Sequence, residues 1–400
     1  MLALYNIAIK IYTFLIRINS LFNNKAKRWV QGRENIFVDL KFALGNEKNI
    51  FWFHCASLGE YEQAQEVIVA TKKQYPKYKI LLTFFSPSGY EVMKNCSLVE
   101  WVFYLPSDTV ENSDKFISIV KPKKVFFIKS ELWLNYMIHL YNQNIPLYHI
   151  ASVFRKDQFL LRISIFRTTL KKSKYFFVQD INSLKVLNNI NINNASAIGD
   201  TRFDSIISNL KSYKNTDIFK FKNKKPLIIL GSVWPHDINI IREFISCFKD
   251  YKFIIAPHEL SYCPIILKEF NGFLFSKIKE ENDVQDKNLL VIDNIGFLKH
   301  LYQYSELVYI GGGFGDGVHN TIEPAVYMQP VIFGPNYNKS IENAELISIN
   351  AAISINSKKN LKIKIEKLIN SFRKKELSKY INKKSGAVKR ILEILIKIED

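Results

Sequence analysis

Cysteine is scarce in this sequence, which has 4 cysteines among 400 residues. Cys55, Cys96, Cys247 and Cys263 form no CxxC pair and lie in or beside apolar stretches. This pattern argues against a disulfide framework and predicts reduced thiols in a cytosolic setting. The 7 histidines are scattered without the spacing of metal ligands. We therefore expect no metal site in this chain.

Several catalytic signatures are also missing. The sequence contains no HExxH, no GxSxG and no GxxxxGK[ST] segment. Zinc hydrolysis, serine hydrolysis and P-loop chemistry lose support accordingly.

Acidic residues are few relative to basic ones. The chain has 56 Lys and Arg against 37 Asp and Glu, a net charge of +19. Such an excess favours an anionic partner, which could be nucleic acid, an acidic membrane surface or a phosphorylated substrate. The excess is mostly lysine in a chain also rich in Asn and Ile, so compositional drift explains much of it.

The sequence lacks a long uncharged apolar run. In MLALYNIAIKIYTFLIRINSLF, Lys10 and Arg17 interrupt the segment before it reaches the roughly 20 residues that a span needs. Its polar residues recur at helical spacing on one face, with Leu, Ile, Phe and Tyr on the other; these polar residues are Asn6, Lys10, Thr13, Arg17 and Ser20. Basic residues follow at Lys25, Lys27, Arg28 and Arg33. We expect residues 1–28 to form an amphipathic helix in a membrane interface; the alternative is a helix packed on its own domain.

From Ile50 onward, short apolar runs alternate with amphipathic segments, which predicts parallel sheets with helices on both faces. The alternation restarts after a polar interval without periodicity, 209–225. At 48% hydrophobic residues, the chain is long enough for two globular domains. The predicted fold class is α/β, with Rossmann-like doubly wound domains at 29–208 and 209–400. Ligands should bind at the carboxyl ends of the strands, in a cleft between the domains.

The strongest local signal is VYIGGGFGDGVHNTIEPA, Val308 to Ala325. A buried strand ends in glycines that include Gly312 and Gly313, and a helix is predicted to begin near Asn320. Glycines let backbone approach a ligand, and a helix start offers free N–H groups to a phosphate or sugar. The segment does not fit G-x-G-x-x-G, which disfavours NAD. Glu323 could bind ribose hydroxyls or could be an ordinary first-turn charge.

Two other loops of the second half could contact a nucleotide. Ser232 in LGSVWPHD is a candidate phosphate donor or a helix cap. Pro257 and His258 follow the next strand, where the histidine could face the cleft or simply lie on the surface.

In the first half, FHCASLGE places Glu60 at the start of a helix, where free N–H groups and the helix dipole hold a carboxylate ionised. Glu60 could thus be an ordinary N-terminal charge or a general base. Glu131 in IKSELW is at a similar strand-to-helix junction, and a helix is predicted to begin at this residue. Arg155 and Arg202 are suited to acidic groups, although a lone arginine is commonly a solvated surface charge.

Taken in order, CASLGE, SELW, GDTRFD, GSVWPHD, HNTIEPA and PVIFGPNYNK resemble the Kdo (3-deoxy-D-manno-octulosonic acid) transferase family of lipopolysaccharide assembly, over about residues 1–390. The resemblance implies a GT-B fold, an N-terminal membrane-associated segment at the cytoplasmic face of the inner membrane, and inverting transfer of Kdo from CMP-Kdo to the lipid A precursor. It implies no cofactor, no catalytic metal and no nucleic-acid partner.

By resemblance, Glu60 matches the proton acceptor of the family. The residues predicted to bind substrate are Ser57, Gly59, Glu131, Arg155, Arg202, Ser232, Pro257, His258, Ile295, Gly296, Phe297, Gly312, Gly313, His319, Asn320, Thr321, Ile322 and Glu323. Two positions depart from the family pattern. Lys129 stands where an acidic residue is usual, and His258 where an arginine is common.

Two alternatives remain at this point. Another GT-B enzyme that uses a UDP-sugar, such as a lipid-linked hexosamine transferase or an epimerase, would share the fold and the glycine loop. A basic, non-catalytic membrane- or nucleic-acid-binding protein is the second, but the basic residues show no RNP-like aromatic pattern.

Overall fold

The computed structural model describes residues 1–210, 214–279, 284–338 and 340–398. The chain divides into two compact units. The first comprises Met1–Ser205 with Lys384–Asp400, and the second comprises Ile206–Lys383.

The first unit is a parallel sheet with helices on both faces. Its strands are β1 (Ile50–Cys55), β2 (Lys79–Phe84), β3 (Trp101–Tyr104), β4 (Lys124–Ile128), β5 (Leu147–Ser152), β6 (Tyr175–Val178) and β7 (Ala195–Ala197). Its helices are α1 (Leu2–Asn19), α2 (Asn24–Gln31), α3 (Ile36–Leu44), α4 (Leu58–Gln74), α5 (Pro87–Met93), α6 (Val110–Val120), α7 (Leu134–Asn142), α8 (Phe159–Arg162), α9 (Ser164–Leu170), α10 (Ile181–Asn189) and α11 (Thr201–Ser208), which runs into the second unit.

The strand order of this sheet is β3-β2-β1-β4-β5-β6-β7. All six residues of β1, IFWFHC, are buried, as expected for a parallel strand covered on both faces. Trp52 packs into the core on one face, and Phe53 packs into the core on the other. The order reverses direction between β1 and β4, so the loops after these two strands meet at the carboxyl edge.

The second unit repeats this architecture. Its strands are β8 (Leu227–Val233), β9 (Lys252–Pro257), β10 (Phe273–Leu274), β11 (Leu289–Val291), β12 (Leu307–Ile310), β13 (Val331–Phe333) and β14 (Ala352–Ser354), in the order β10-β11-β9-β8-β12-β13-β14. Its helices are α12 (Thr216–Lys222), α13 (Ile238–Cys247), α14 (Cys263–Phe270), α15 (Leu298–Leu301), α16 (Ile322–Val326), α17 (Ile341–Ser348), α18 (Leu361–Ser371) and α19 (Lys374–Lys384). Here the order reverses between β8 and β12. The predicted fold class, two doubly wound parallel α/β domains, is confirmed.

The last helix, α20 (Ala387–Lys397), belongs to the first unit. Its Ile391 and Leu395 are buried in the same core cluster as Ala64 and Ile68 of α4. The Asp204 carboxylate accepts hydrogen bonds from the backbone N–H of Gly386 (2.7 Å) and Ala387 (2.9 Å). The predicted second domain, 209–400, therefore differs from the observed unit at its C-terminal end. An amphipathic pattern shows that a helix buries one face, but not against which sheet.

The predicted polar linker, 209–225, is partly helical. Residues 211–213 lie outside the described residues, and α12 begins soon after them with the Asn215 side chain as its cap. Ile218 and Phe221 of α12 are fully buried. The abundance of Lys and Asn concealed a short helix with two core residues.

The N-terminal segment is not one helix to residue 28. The helix α1 ends at Asn19, and Asn23 accepts hydrogen bonds from the backbone N–H of Lys25 and Ala26 to begin α2. One side of α1 rests on its own unit, since Tyr5 donates to Asp108 (2.5 Å) and Asn6 accepts from Asn135 (2.9 Å), whereas Lys10 and Arg17 of the predicted polar face are exposed. Its outward side is apolar and exposed, at Leu4, Ile7, Ile11, Phe14, Leu15 and Ile18. By length and composition alone, α1 could cross a membrane.

Candidate active site

Two glutamates lie at the carboxyl edge of the first sheet. Glu60 follows β1 in the first turn of α4, and Glu131 follows β4. Because β1 and β4 are the neighbouring strands at which the strand order reverses, the two loops open onto the same crevice. We call Glu60, Glu131 and the adjacent Lys129, His54 and Trp133 the carboxylate site.

The Glu60 side chain folds back on the start of its own helix. Its Oε2 atom accepts a hydrogen bond from the backbone N–H of Ser57 at 3.0 Å, in a capping box. The residue is only 8% exposed. Burial raises the pKa of Glu60, and this effect outweighs Lys129 and the N–H groups of Ser57 and Ala56, which lower it. The sequence analysis expected the helix terminus to hold this carboxylate ionised, so its basicity was underestimated.

Burial, and then the charge of Glu60, raise the pKa of Glu131 to about 8, while Trp133 and Lys129 act in the opposite direction. The two carboxylates therefore titrate together. Glu131 lies in the coil before α7, because that helix begins at Leu134 rather than at the predicted residue 131. Its N-terminal N–H groups at Asn135 and Tyr136 are capped from another loop, by the Asp108 carboxylate.

A buried histidine, which the sequence analysis missed, supports Trp133. The ring of His54 is fully buried, and burial lowers its pKa to about 3. Its Nε2 atom accepts from the Trp133 indole at 3.1 Å and lies 3.9 Å from Glu131 Oε2. The neutral ring therefore carries its proton on Nδ1, 2.9 Å from Thr83 Oγ1. His54 is the last residue but one of the fully buried strand β1. Its polarity within an apolar run was the one signal in the sequence that could have identified it.

The other predicted residues of the first unit differ in their surroundings. Ser57 is the N-cap of α4. A Cβ atom at Gly59 would meet nothing within 4 Å, so there is open space beside Glu60. Arg155 is exposed after β5. Arg202 is paired with Asp200, to which its Nη2 atom donates at 2.6 Å, so its charge is already compensated.

In the second unit, the glycine loop, residues 311–317, is organised by a residue that the sequence analysis did not select. Asp237 is fully buried beyond β8. Its carboxylate accepts from the Tyr309 hydroxyl (2.6 Å), the backbone N–H of Trp234 (2.8 Å) and that of Gly312 (3.1 Å). Asp237 thus joins the two loops at which the strand order reverses. A buried aspartate in WPHD resembles a helix-start residue, so only the fold shows this role.

The glycines are required by contacts within the chain. A Cβ atom at Gly313 would lie 2.5 Å from the Gly334 backbone nitrogen. A Cβ atom at Gly312 would lie 2.4 Å from the Gly317 carbonyl oxygen, and its φ of +88° is also in the left-handed region. The N–H of Gly312 donates to Asp237. The Gly312 N–H is therefore engaged within the chain, while the prediction that Gly312 contacts a ligand stays a prediction.

The segment after the glycine loop forms a shorter helix than predicted. Helix α16 spans only Ile322–Val326, and the Asn320 side chain accepts from the N–H of Ile322 at 3.0 Å. The side chains of Thr321 and Ile322 are fully buried, and the Thr321 hydroxyl donates to Asn343. They are therefore unavailable to a substrate. Asn320 also donates to Glu323 at 3.3 Å.

Two of the predicted histidines form a stack with Trp234. The His258 ring lies parallel to the Trp234 ring at 4.2 Å and 4.4 Å from the His319 ring. The Trp234 indole donates to His319 Nε2 at 3.1 Å, so in neutral His319 the proton is on Nδ1. Burial lowers the pKa of His258, and burial with neighbouring His258 lowers that of His319 to about 4. Both rings are neutral at pH 7 and can donate one hydrogen bond each.

The remaining predicted residues also follow strands of the second sheet. Ser232 lies within β8 at an irregularity in its pairing with β9, with a φ of +53°, and the following turn is capped by Trp234. The cap alternative for Ser232 is therefore wrong. Pro257 ends β9. After β11, Ile295 is 84% exposed and Gly296 is exposed, whereas Phe297 is buried against Phe275.

Two doubly wound sheets, each with polar groups at its strand-order reversal, define the GT-B class of α/β proteins. A solved structure of UDP-GlcNAc 2-epimerase from Neisseria meningitidis, bound to UDP-GlcNAc, superimposes with a TM-score of 0.62 at 16% identity, covering 87% of this chain and 99% of that one. A similarity at this identity shows the fold alone.

A family model for 3-deoxy-D-manno-octulosonic-acid transferase matches residues 31–205. The 3-deoxy-D-manno-octulosonic acid transferase of Rickettsia bellii is 26% identical over 384 residues, 92% of this chain and 92% of that protein. The transferase of the same description from Aquifex aeolicus is 25% identical over 356 residues, 87% of this chain and 93% of that protein. The chain is thus similar to 3-deoxy-D-manno-octulosonic acid transferases over most of its length.

Proposed function

We propose that this protein is a glycosyltransferase that moves Kdo from CMP-Kdo to a lipid A precursor in lipopolysaccharide biosynthesis. The family match supports the reaction. The observation in the structure that supports it best is the buried Glu60 carboxylate, whose pKa is raised and which lies beside open space at the carboxyl edge of the first sheet.

Glu60 is the general base of this proposal. A sugar hydroxyl is a weak nucleophile at neutral pH, so its proton must leave as its oxygen attacks the anomeric carbon of Kdo. Attack from the face opposite the CMP inverts that centre. Burial and the charge of Glu60 raise the pKa of Glu131 to about 8, so the proposal assigns the proton of the pair at neutral pH to Glu131 and the role of base to Glu60. Burial makes this carboxylate a stronger base than an exposed one.

The leaving group is cytidine monophosphate, whose developing negative charge needs fixed hydrogen-bond donors. The proposal assigns this task to the second unit. There, the neutral rings of His258 and His319 can each donate, and Asp237 fixes the loop that holds His319. Among the described residues, no group of three or more His, Cys, Asp or Glu could hold a metal ion. We propose a metal-independent reaction without a cofactor.

We further propose that α1 holds the enzyme at the cytoplasmic face of the inner membrane. Its outward side exposes large apolar residues, and Leu21 and Phe22 extend that surface beyond the helix at 77% and 86% exposure. Lys25, Lys27 and Arg28 follow it. Burial of the apolar side in lipid and attraction to anionic headgroups would act together.

The decisive experiment incubates the purified protein with CMP-Kdo and lipid A precursor and measures the product by mass spectrometry. We expect a mass increase of one or more Kdo units, and no increase with Glu60→Ala. Calorimetric titration with CMP and with UDP is the second measurement. Preferential binding of UDP, without a Kdo product, would support the alternative of a UDP-sugar enzyme and overturn the proposal.

A further inference from the structure

A cavity of about 300 Å³ lies under α1 in the first unit, apart from the carboxylate site. Its polar lining includes Thr13 and Arg17 of α1, Trp29 and Arg33 from α2 and the turn after it, and Ser107 and Asn112 near the start of α6. We call it the arginine pocket. Glu34 is the acidic residue of its lining, and it is exposed.

Among the described residues, no carboxylate forms an ion pair with Arg33. Its guanidinium donates to three backbone carbonyl oxygens, those of Leu105 (2.8 Å), Trp29 (2.9 Å) and Phe85 (2.8 Å). It also lies over the rings of Trp29 and Tyr104, at 3.9 Å and 4.7 Å. Burial lowers the pKa of Arg33, but the group stays charged at neutral pH. Three of its five N–H donors are used by these carbonyls, so two remain for a ligand.

A second arginine adds donors to the pocket. Arg17 reaches the pocket from α1 and has no ion pair among residues 1–210. An acceptor with several oxygens and a negative charge would satisfy the free donors of both arginines together.

The position of the pocket indicates where that acceptor comes from. Arg17 is on the same helix as the exposed apolar side of α1, within one turn of Phe14 and Ile18. A group held by Arg17 and Arg33 would thus lie next to the surface that we assign to lipid.

We propose that the arginine pocket binds the phosphate group of an anionic membrane lipid and so fixes the position of α1 on the first unit. The identity of the ligand as a lipid rests on the proposed membrane association, whereas the pocket itself does not.

The test measures binding to vesicles by sedimentation, with the full chain. Phosphatidylcholine vesicles carry either phosphatidic acid or oleate, at matched surface charge. The variant is Arg17→Ala, because Arg33 also ties the end of α2 to the loops after β2 and β3, and its loss could unfold the unit. The control is Arg162→Ala, which removes the same charge from an exposed position of the first unit outside the pocket.

We expect wild-type protein to prefer phosphatidic acid over oleate, and Arg17→Ala to weaken binding to phosphatidic acid roughly tenfold, the value of one charge-assisted hydrogen bond. Arg162→Ala should bind as wild type does, and inorganic phosphate should compete with phosphatidic acid. Equal binding to both vesicle types, or equal losses in the two variants, would show attraction to charge alone and overturn the proposal. If the protein binds inorganic phosphate but does not bind vesicles, the assignment of the ligand as a lipid is overturned.

These outcomes are separate from those of the proposed reaction. Vesicle binding requires neither CMP-Kdo nor turnover, so a protein that fails to transfer Kdo can still show the preference for phosphatidic acid. Conversely, if the protein transfers Kdo but shows no preference for phosphatidic acid, the proposal for the arginine pocket is overturned and the proposed reaction stands.

Discussion

The carboxylate site of the first unit and the glycine loop of the second lie at the same topological position, the carboxyl edge where strand order reverses, yet they are built differently. In the first unit the functional candidate, Glu60, is in its place because of hydrogen bonds within one turn of helix. In the second unit the loop is held by a buried aspartate and by glycines that touch other loops. The first arrangement is local in sequence, and the second depends on contacts far along the chain.

The strongest test of this comparison is Glu60→Gln. The amide keeps the shape of the side chain but cannot take a proton, so we expect transfer to fall roughly 10²- to 10⁴-fold, the usual contribution of a general base. The measurement is the initial rate of Kdo transfer. Glu66→Gln, two turns further along α4, is the matched control and should retain activity. An unchanged rate in Glu60→Gln would show that Glu60 is not the general base.

Next in size is Asp237→Ala in the second unit. Its removal leaves the Tyr309 hydroxyl and two backbone N–H groups buried without an acceptor, so we expect about 3 kcal/mol or more of lost stability. Urea unfolding measures the total loss of unfolding free energy, and hydrogen exchange over residues 307–320 shows whether the loss is local to the glycine loop. Asp250→Ala, an exposed aspartate of the same unit, should have little effect. Loss of CMP binding with normal exchange would instead assign Asp237 to the ligand.

Glycine substitutions compare the two regions directly. Gly313→Ala forces a methyl group to 2.5 Å from the Gly334 nitrogen, and we expect about 1–3 kcal/mol of destabilisation from overpacking. Gly59→Ala meets no atom within 4 Å and lies in a helix, so it should stabilise by about 0.5–1 kcal/mol. Chemical unfolding measures both. Equal costs at the two positions would contradict the distinction between the packed loop and the open site.

A further test concerns the pH dependence of stability that Glu131 introduces. The folded state keeps its proton up to about pH 8, whereas the unfolded chain loses it near the ordinary pKa of 4.5. The folded state thus binds more protons between these values, and stability falls as pH rises through this window. In Glu131→Gln the decline should be shallower, as measured by urea midpoints from pH 5 to pH 8. Glu66→Gln should keep the wild-type slope.

The sequence allowed the local features to be predicted. Apolar runs such as IFWF identify parallel strands, and SLGE identifies a glutamate at a helix start, because both signals are contained in a few consecutive residues. His54 and Asp237 were missed for the opposite reason. Their importance comes from hydrogen-bond partners such as Trp133 and Tyr309, which only the folded chain brings near. The packing of α20 on the first unit was missed because an apolar helix face indicates burial but does not identify the sheet against which the helix packs.

The return of α20 to the first unit has a consequence for biosynthesis. A ribosome releases the strands of that unit early, but Ile391 and Leu395, which cover Ala64 and Ile68 beneath the Glu60 helix, emerge nearly two hundred residues later. At ordinary translation speeds the delay is on the order of ten to forty seconds. During this interval the nascent chain carries an unsealed apolar surface, so chaperone occupancy should end only when translation of the final helix is complete.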